Sequence, residues 1–523
     1  MRSFTTFKIF LAVSIISIFS YPLQAQQSKW ILGSSQANAA GTFYTLGTNN
    51  LKFYEINFNG SISSTQRVTG NSINNIQSVG TQDVMQSAVD ASGNVSFYAF
   101  GATTVPFQSS GPSTPDTIYF AAYNATTLAD EVFGKVATEG WGASVIESEL
   151  VRRPGSTTDY YFIYKTKSGS TSLDNIRYVT INAATKSVSS PITIITNEKT
   201  GEGMAVSQEN CINNQRWLFT SRPESSGDIT IKKCAITNSG ISTGSVAYTI
   251  VIPGNSISII TAIEIAPTND KFVISNYSGS SVNKDVILLD FNNVTGSLSN
   301  ERYYTTQSGY PIVTMEFSPD ATRIYFLQGG SSAFPNVLYS SPVTSTNHTI
   351  TLAEQLSGLT LDNSLTLETA FDGKLYINPS QNANFLYVIA NPNSSTPTVS
   401  TTVTNLFGVG ERIGAGFPDQ VDGEMSFYPC SGASTPEENN AAFLLHAYPN
   451  PSLSSFSVEF KLSTINEIDF QLYNTSGRFV RTERRNLSGN TLTIAREDLA
   501  PGIYFFKCYD KEQIIGIGKV IIN

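Results

Sequence analysis

The sequence predicts an all-β protein, and three observations lead to that class. Apolar and polar residues alternate with a period of two along many short segments, which is typical of half-buried strands. Gly, Pro, Asn and Ser interrupt these segments at short intervals, as turns do. Charged residues make up only 14% of the chain, while Ser, Thr, Asn and Gly are abundant. This mixture suits strands with polar outer faces joined by many turns.

Residues 1–25 have the features of a secretory signal peptide. Arg2 and Lys8 give a positive start, Ile9–Phe19 is an apolar run, and Ala25 is a small residue suited to cleavage. A run of about eleven residues is too short to cross a bilayer as a helix, which needs about 20. We therefore predict removal of residues 1–25, export across the inner membrane, and no transmembrane segment.

Residues 26–430 contain a repeated unit, in which an apolar strand and a tight polar turn precede an aromatic-rich strand. Equivalent positions recur 51 to 64 residues apart, at Tyr44, Phe97, Tyr161, Leu218, Val273, Tyr325 and Tyr376. A period in the fifties is near that of four-stranded propeller blades. We predict a seven-bladed β-propeller, closed by pairing of Glu424–Tyr428 into the blade that begins at Trp30–Leu32. A pair of β-sandwiches is the alternative.

Residues 431–442 are small, polar and acidic, and are predicted to form a mobile linker. Alternation resumes in residues 443–523, where Phe456 and Val458 face one side of a strand and Ser457 faces the other. Roughly seven short strands in about 80 residues predict a small C-terminal β-sandwich. Because proteases cleave exposed chain, we expect a processing cut between Ser431 and Ala447.

Four motifs follow one another in this last domain. They are Tyr-Pro-Asn-Pro-Ser at 448–452, Leu-Tyr-Asn with a later Gly at 472–477, Leu-Ala-Pro-Gly-Ile-Tyr at 499–504, and Gly-Lys-Val at 518–520. In this order they resemble the type A C-terminal sorting domain of the type IX secretion system. The residues that carry the resemblance are Tyr448, Pro449, Asn450, Pro451, Gly477, Pro501, Gly502, Tyr504, Gly518 and Lys519. An ordinary β-sandwich appended for binding is the alternative.

The resemblance implies an export route for the protein and says nothing about an enzymatic reaction. Proteins with such a domain fold in the periplasm and pass the outer membrane through the type IX translocon. A sorting peptidase then usually removes the domain, and the cargo is attached to surface lipopolysaccharide or released. We therefore expect a secreted or cell-surface protein on the exterior of the outer membrane.

The repeated stretch carries a second resemblance. The turns at Ser318-Pro319-Asp320 and at 372–376 (Asp-Gly-Lys-Leu-Tyr) are similar to those of bacterial surface propellers of the WD40-like or YVTN-like kind. That resemblance covers two or three of the units. It implies a propeller exposed at the cell surface.

Composition excludes several classes of function. A formal net charge of −9 argues against nucleic acid, because phosphate binding requires basic patches. The two histidines, His348 and His446, have no other histidine nearby, which disfavours a zinc site. No nucleophile-elbow motif or Gly-rich phosphate loop is present. We therefore predict no catalytic residue, no metal site and no cofactor.

Two of the four cysteines are candidates for a disulfide. Cys211 and Cys234 are separated by 23 residues and are predicted to lie on neighbouring strands. In an oxidising compartment they could form a bond. A free buried pair is the alternative that the sequence leaves open.

Two classes of function remain. Carboxylates near inner strands are the only candidates for sugar chemistry at a central funnel, at Glu147, Glu149, Glu202, Glu264, Glu316 and Asp320. Each is also explained as a turn residue or a solvated rim residue. We favour a non-catalytic propeller that binds an unidentified protein or glycan through its loops. A secreted carbohydrate-active enzyme, a glycoside hydrolase or lyase, is the alternative.

Overall fold

The fold is described from a computed structural model of the whole chain. The structure describes residues 29–36, 52–58, 62–74, 76, 85–90, 94–102, 117–137, 144–168, 173–198, 200–201, 203–210, 212–252, 262–276, 284–306, 311–329, 336–357, 359, 361, 366–378, 385–404, 406–407, 411–413, 417, 443–445, 447–459, 467–474, 479–486, 491–497, 499–510 and 513–523. The chain divides into two compact units, Met1–Ala433 and Ser434–Asn523. The predicted signal peptide and linker lie outside the described residues, so these domain boundaries stay predictions.

The first unit consists of antiparallel sheets that follow one another along the chain, and seven of them lie within the described residues. Sheet I contains β1 (Lys29–Gln36), β2 (Lys52–Asn57) and β3 (Ser63–Gln66), followed by the short helix α1 (Asn71–Asn74). Sheet II contains β4 (Met85–Val89), β5 (Val95–Ala102), β6 (Thr117–Asn124) and β7 (Ala129–Ala137). Sheet III contains β8 (Ser144–Arg152), β9 (Asp159–Ser168), β10 (Leu173–Asn182), β11 (Ser187–Val188) and β12 (Ile192–Glu198).

The remaining sheets of this unit repeat the same order of strands. Sheet IV contains β13 (Met204–Val206), β14 (Arg216–Pro223), β15 (Ile229–Thr237), β16 (Gly240–Ile241) and β17 (Ser245–Ile250). Sheet V contains β18 (Ile263–Ile265), β19 (Lys271–Ser275), β20 (Val286–Asn292) and β21 (Ser297–Thr305). Sheet VI contains β22 (Ile312–Phe317), β23 (Arg323–Gln328) and β24 (Val337–Pro342). After β25 (His348–Thr349) and a 3₁₀ turn (Leu352–Glu354), sheet VII contains β26 (Thr366–Thr369), β27 (Leu375–Asn378), β28 (Phe385–Ile389) and β29 (Val399–Thr404).

The sheets pack face to face, because their strands are apolar on both sides. In β20, Ile287 and Leu289 belong to the core between sheets IV and V. The alternate residues Val286 and Leu288 belong to the core between sheets V and VI. All four side chains are fully buried. One strand therefore supplies two cores, which is why the sequence shows continuous apolar runs at these strands.

Seven hydrophobic clusters join the sheets in succession, and the last cluster joins sheet VII to sheet I. At that junction Tyr376 and Leu386 of sheet VII pack with Trp30 and Tyr54 of sheet I. The described residues therefore form a closed ring of sheets, which is a propeller architecture. The all-β class is confirmed. The number of blades stays a prediction, because the count of seven covers the described residues only.

The ring is closed by β30 (Glu411–Ile413), the last strand of the first unit that the structure describes. It pairs with β1 in antiparallel register, with Ile413 opposite Ser34 and Glu411 opposite Gln36. The sequence had assigned closure to residues 424–428, which lie outside the described residues. Sequence reasoning missed the pairing of β30 with β1, and the predicted pairing of residues 424–428 stays a prediction.

One segment departs from regular propeller order. β25 does not extend sheet VI; it adds in parallel to β21 of sheet V, with His348 opposite Tyr304. The Tyr304 hydroxyl donates to the Pro342 carbonyl at 2.9 Å, and the Ile350 amide donates to the Thr305 carbonyl at 3.0 Å. This crossing ties sheet V to the chain that leaves sheet VI.

The second unit is a two-sheet sandwich. Its large sheet has the order β31 (Phe443–Leu444), β38 (Gln513–Ile522), β37 (Gly502–Asp510), β34 (Glu467–Asn474), β35 (Phe479–Asn486). Its small sheet has the order β32 (Ala447–Tyr448), β33 (Ser455–Glu459), β36 (Thr491–Ala495). Alternate residues of both sheets meet in one core that includes Phe456, Phe470, Phe506 and Val520.

No helix among the described residues is long and apolar enough to cross a membrane. The two helical segments described above have four and three residues.

Candidate functional site

The first and the last of the predicted sorting motifs are far apart in the sequence, and the structure brings them together on β38. The Asn450 side-chain amide donates to the Lys519 carbonyl at 3.2 Å, and its carbonyl oxygen accepts the Ile521 amide at 2.8 Å. Ser452 continues the contact, since its amide donates to the Ile521 carbonyl at 2.7 Å. The first motif is therefore held on the last strand by main-chain hydrogen bonds.

The prolines of this motif lie at the surface beside that contact. The Tyr448–Pro449 and Asn450–Pro451 peptide bonds are both cis. Pro449, Asn450 and Pro451 are exposed, and Tyr448 is 48% exposed. The motif is thus presented to solvent while Asn450 and the fully buried Ser452 fix its position.

The third motif makes a local turn against β37. The Tyr504 hydroxyl donates to the Ala500 carbonyl at 2.9 Å, which closes the turn that contains Pro501 and Gly502. Leu499 and Tyr504 are buried in the core of the sandwich. Pro501 is exposed, and a Cβ at Gly502 would lie 3.9 Å from its nearest neighbour, the Tyr504 ring.

Gly518 lies where a side chain has no room. A Cβ at this position would lie 2.3 Å from Cζ of Phe506 and 2.4 Å from the Leu445 carbonyl oxygen. The crowding arises because β31 pairs in parallel with β38, with Phe443 opposite Gly516 and Leu444 opposite Ile517. The glycine of the fourth motif therefore permits the entering chain to lie against the last strand. Gly477, from the second motif, lies outside the described residues.

Arg496 is a residue of this site that sequence reasoning missed. Its Nε donates to the Leu499 carbonyl at 3.2 Å, and one terminal nitrogen donates to the Leu453 carbonyl at 3.2 Å. The same nitrogen also donates to the Asn523 carbonyl. One guanidinium thus connects the residue after the first motif, the first residue of the third motif and Asn523, which follows β38. No local sequence pattern marks this role.

The candidate carboxylates of the propeller fall into different environments. Glu149 and Glu316 are buried on inner strands, whereas Glu147 and Glu264 are half-buried. Asp320 holds its own turn, because it accepts the Thr322 amide at 3.0 Å and the Ser318 hydroxyl at 2.9 Å. Glu202 lies outside the described residues. Among the described residues, no group of three or more His, Cys, Asp or Glu side chains is placed to hold a metal ion.

His348 belongs to a polar cluster that is not a catalytic triad. Its Nε2 lies 2.8 Å from Glu354 Oε1, and the same oxygen accepts the Ser341 hydroxyl at 2.6 Å. The carboxylate is therefore between the serine and the histidine, whereas a nucleophilic serine would need the imidazole beside it. Burial alone would raise the pKa of Glu354, but hydrogen bonds from Ser341, the Thr351 amide and His348 outweigh it and lower that pKa.

The cysteines described by the structure are buried thiols. Cys234 and Cys508 are both free and fully buried, and burial raises the pKa of each to about 12. Cys211 lies outside the described residues. The bond between Cys211 and Cys234 stays a prediction.

Comparison with known proteins identifies the C-terminal unit. Residues 446–523 match a family model described as the secretion system C-terminal sorting domain. This match confirms the type IX sorting domain that the sequence motifs predicted. It covers only the end of the chain. No curated protein matches the chain.

Solved structures similar to the chain are distant. The periplasmic gluconolactonase PpgL of Pseudomonas aeruginosa aligns with a TM-score of 0.43 and 10% identity, covering 74% of this chain and 99% of that chain. Sqt1 of Saccharomyces cerevisiae aligns with a TM-score of 0.36 and 11% identity, covering 76% of this chain and 98% of that chain. At such scores these likenesses say nothing about what the chain binds.

Proposed function

We propose that this chain is a propeller cargo of the type IX secretion system, in which residues 443–523 are the export signal and residues 26–430 are the exported domain. The sorting-domain match makes it a secreted or cell-surface protein. The observation that supports the proposal is that the first, third and fourth motifs meet at the end of β38, through Asn450, Ser452 and Arg496. A folded signal of this kind presents one fixed surface to the export machinery.

The export signal is tested by deletion and by transfer. A chain that lacks residues 446–523 should remain in the periplasm of a type IX-secreting host, while the full chain reaches the cell exterior. Fusion of residues 434–523 to an unrelated periplasmic reporter should export the reporter. Export of the deleted chain at the level of the full chain would refute the proposal.

Processing by the sorting peptidase is proposed to occur before Phe443. Phe443 and Leu444 are paired with β38, and Leu445 is buried in the core of the sandwich. A peptidase needs an extended, accessible segment, which β31 does not offer while the sandwich is folded. Mass measurement of the surface form should therefore give a C-terminus within 431–442. A mature form that ends after Leu445 would contradict this assignment.

The exported domain is proposed to be a non-catalytic binding module for a protein or a glycan on the outer-membrane exterior, held by lipopolysaccharide or released. Support comes from how its polar turn residues are used. Asp372 accepts hydrogen bonds from Lys374 at 2.7 Å and from Tyr376 at 2.9 Å, so its carboxylate holds its own turn. Asp320 does the same in sheet VI.

Binding and catalysis are separated by one pair of assays. Labelled mature protein is applied to a glycan array, and the same glycans are screened for hydrolysis or elimination products. Binding without product supports the module. Product formation at a rate proportional to the concentration of the protein would contradict the binding module and identify a carbohydrate-active enzyme.

A further inference from the structure

The outer face of the large sheet in the C-terminal unit carries exposed apolar side chains on β37, although its outward positions on β34 and β35 include the Asp469–Arg484 ion pair. Along β37, Tyr504, Phe506 and Cys508 point into the core, so Ile503 and Phe505 point outward. Ile503 is 45% exposed and Phe505 is 38% exposed. Strands of a two-sheet sandwich normally carry polar residues at outward positions.

The small sheet of the same unit follows that rule. Its outward residues include Ser457 and Thr493, whose hydroxyl groups lie 3.0 Å apart on neighbouring strands. The two faces of one sandwich therefore differ in chemistry. Because both fold around the same core, folding alone does not explain the apolar face.

The apolar residues of this face are contiguous and lie beside ammonium groups. Phe505 is opposite Lys519 on β38 and opposite Tyr473 on β34. The Lys507 ammonium lies 5.5 Å from the centroid of the Tyr473 ring. Within the described residues neither Lys507 nor Lys519 has a carboxylate at ion-pair distance. We call the outward side chains of Tyr473, Ile503, Phe505, Lys507 and Lys519 the docking face.

The docking face adjoins the first sorting motif. The Asn450 side chain holds the main chain of Lys519 and Ile521, and Ile521 lies opposite Ile503. The exposed prolines therefore stand at the edge of the face. The residues that mark the motif and the exposed apolar residues form one continuous surface.

We propose that the docking face binds a protein of the export machinery whose contact surface is apolar with carboxylates at its rim. The inference rests on the proposed function and adds the chemistry of the partner. Exposed aromatic and aliphatic side chains beside unpaired cations fit such a surface. Attraction to anionic lipid typically uses clusters of about four to eight Lys or Arg, whereas this face has two unpaired lysines.

The test uses the full chain in a type IX-secreting host. The variants are Lys519→Glu and the double variant Ile503→Thr with Phe505→Thr, in which the β-branched threonine suits a strand at both positions. Each should lower the exported amount about tenfold, on the scale of losing one interface hot spot, and folded protein should accumulate in the periplasm. Thr493→Glu, an exposed change on the small sheet, should export like the parent.

The outcomes separate this inference from the proposed function. Normal export of both variants, with no export after deletion of residues 446–523, would refute the docking face and leave the proposed function standing. Normal export of the deleted chain would refute the proposed function. Lys519 is exposed, so the thermal unfolding of Lys519→Glu should match that of the parent. This variant therefore still tests the docking face if the double variant at Ile503 and Phe505 unfolds.

A membrane partner is tested separately. Purified full chain is sedimented with vesicles of phosphatidylcholine and phosphatidylglycerol. The protein-partner inference expects no co-sedimentation. Co-sedimentation of the parent that Lys519→Glu abolishes would overturn the inference in favour of a lipid surface.

Discussion

Substitution of Gly518 by alanine should loosen the end of the sorting sandwich. The added methyl group would lie 2.3 Å from Phe506 Cζ and 2.4 Å from the Leu445 carbonyl. Phe506 cannot turn away freely, because its ring stacks on Phe470 with centroids 5.3 Å apart. Relief therefore requires a strained shift of Phe506 within the core and movement of β31 away from β38. Overpacking of this kind costs about 1–3 kcal/mol.

That cost is measured by amide hydrogen exchange of β37 and β38 in the full chain. A loss of about 1–3 kcal/mol corresponds to roughly 5- to 150-fold faster exchange when opening is at equilibrium. Gly502→Ala is the matched control, since its Cβ would have no neighbour closer than 3.9 Å. Equal exchange rates in the Gly518→Ala variant and the Gly502→Ala control would refute the steric account of the motif glycine.

Three further predictions follow from other contacts. Arg496→Ala removes charge-assisted hydrogen bonds of about 1.5–3 kcal/mol each and should raise the rate of hydrogen exchange in residues 519–523 about tenfold or more. The control is Arg484→Ala, at a side chain 65% exposed, which should change that rate little. Equal exchange rates in the two variants would contradict the role assigned to Arg496. Gly296→Ala should lower the free energy of unfolding, because Gly296 has φ +66 and a Cβ there would lie 2.5 Å from the Trp217 ring. The loss should exceed that of Gly373→Ala, at φ +72 with open space around it, which costs only about 1–2 kcal/mol of backbone strain. Denaturant titration of both variants measures which is less stable. Folding lowers the pKa of Glu354, so this carboxylate stabilises the fold above pH 4.5, its ordinary pKa, and the stabilisation is lost as the pH falls through the lower pKa of the folded state. The stability of Glu354→Gln should therefore lack this part of the acid dependence. An unchanged dependence of stability on pH would contradict the prediction.

Strands such as β20 and β23 carry apolar residues on both faces, whereas the sequence analysis expected half-buried strands with polar outer faces. Phe97, Tyr161 and Tyr325, which mark the repeat in the sequence, each lie in a core between neighbouring sheets. Closure was harder to predict. β30 has only three residues, Glu411–Ile413, and so short a segment carries no alternation.

The pairing of β25 with sheet V was likewise not predictable from the sequence. Two residues, His348 and Thr349, have no period that could indicate parallel pairing with another sheet. The role of Arg496 depends on three carbonyl groups that come together only after folding. The third motif is fixed by local geometry, since Tyr504 closes its turn on Ala500, whereas Asn450 and Gly518 depend on contacts with distant residues.

The pairing of β30 with β1 has a consequence for what survives processing. Glu411–Ile413 lies before any cut in 431–442, and its hydrogen bonds run to Ser34–Gln36. Proteolysis there would sever no strand of the ring that the structure describes. Among the described residues the ring is sealed by β1 and β30, so the proposed cut would leave this seal intact.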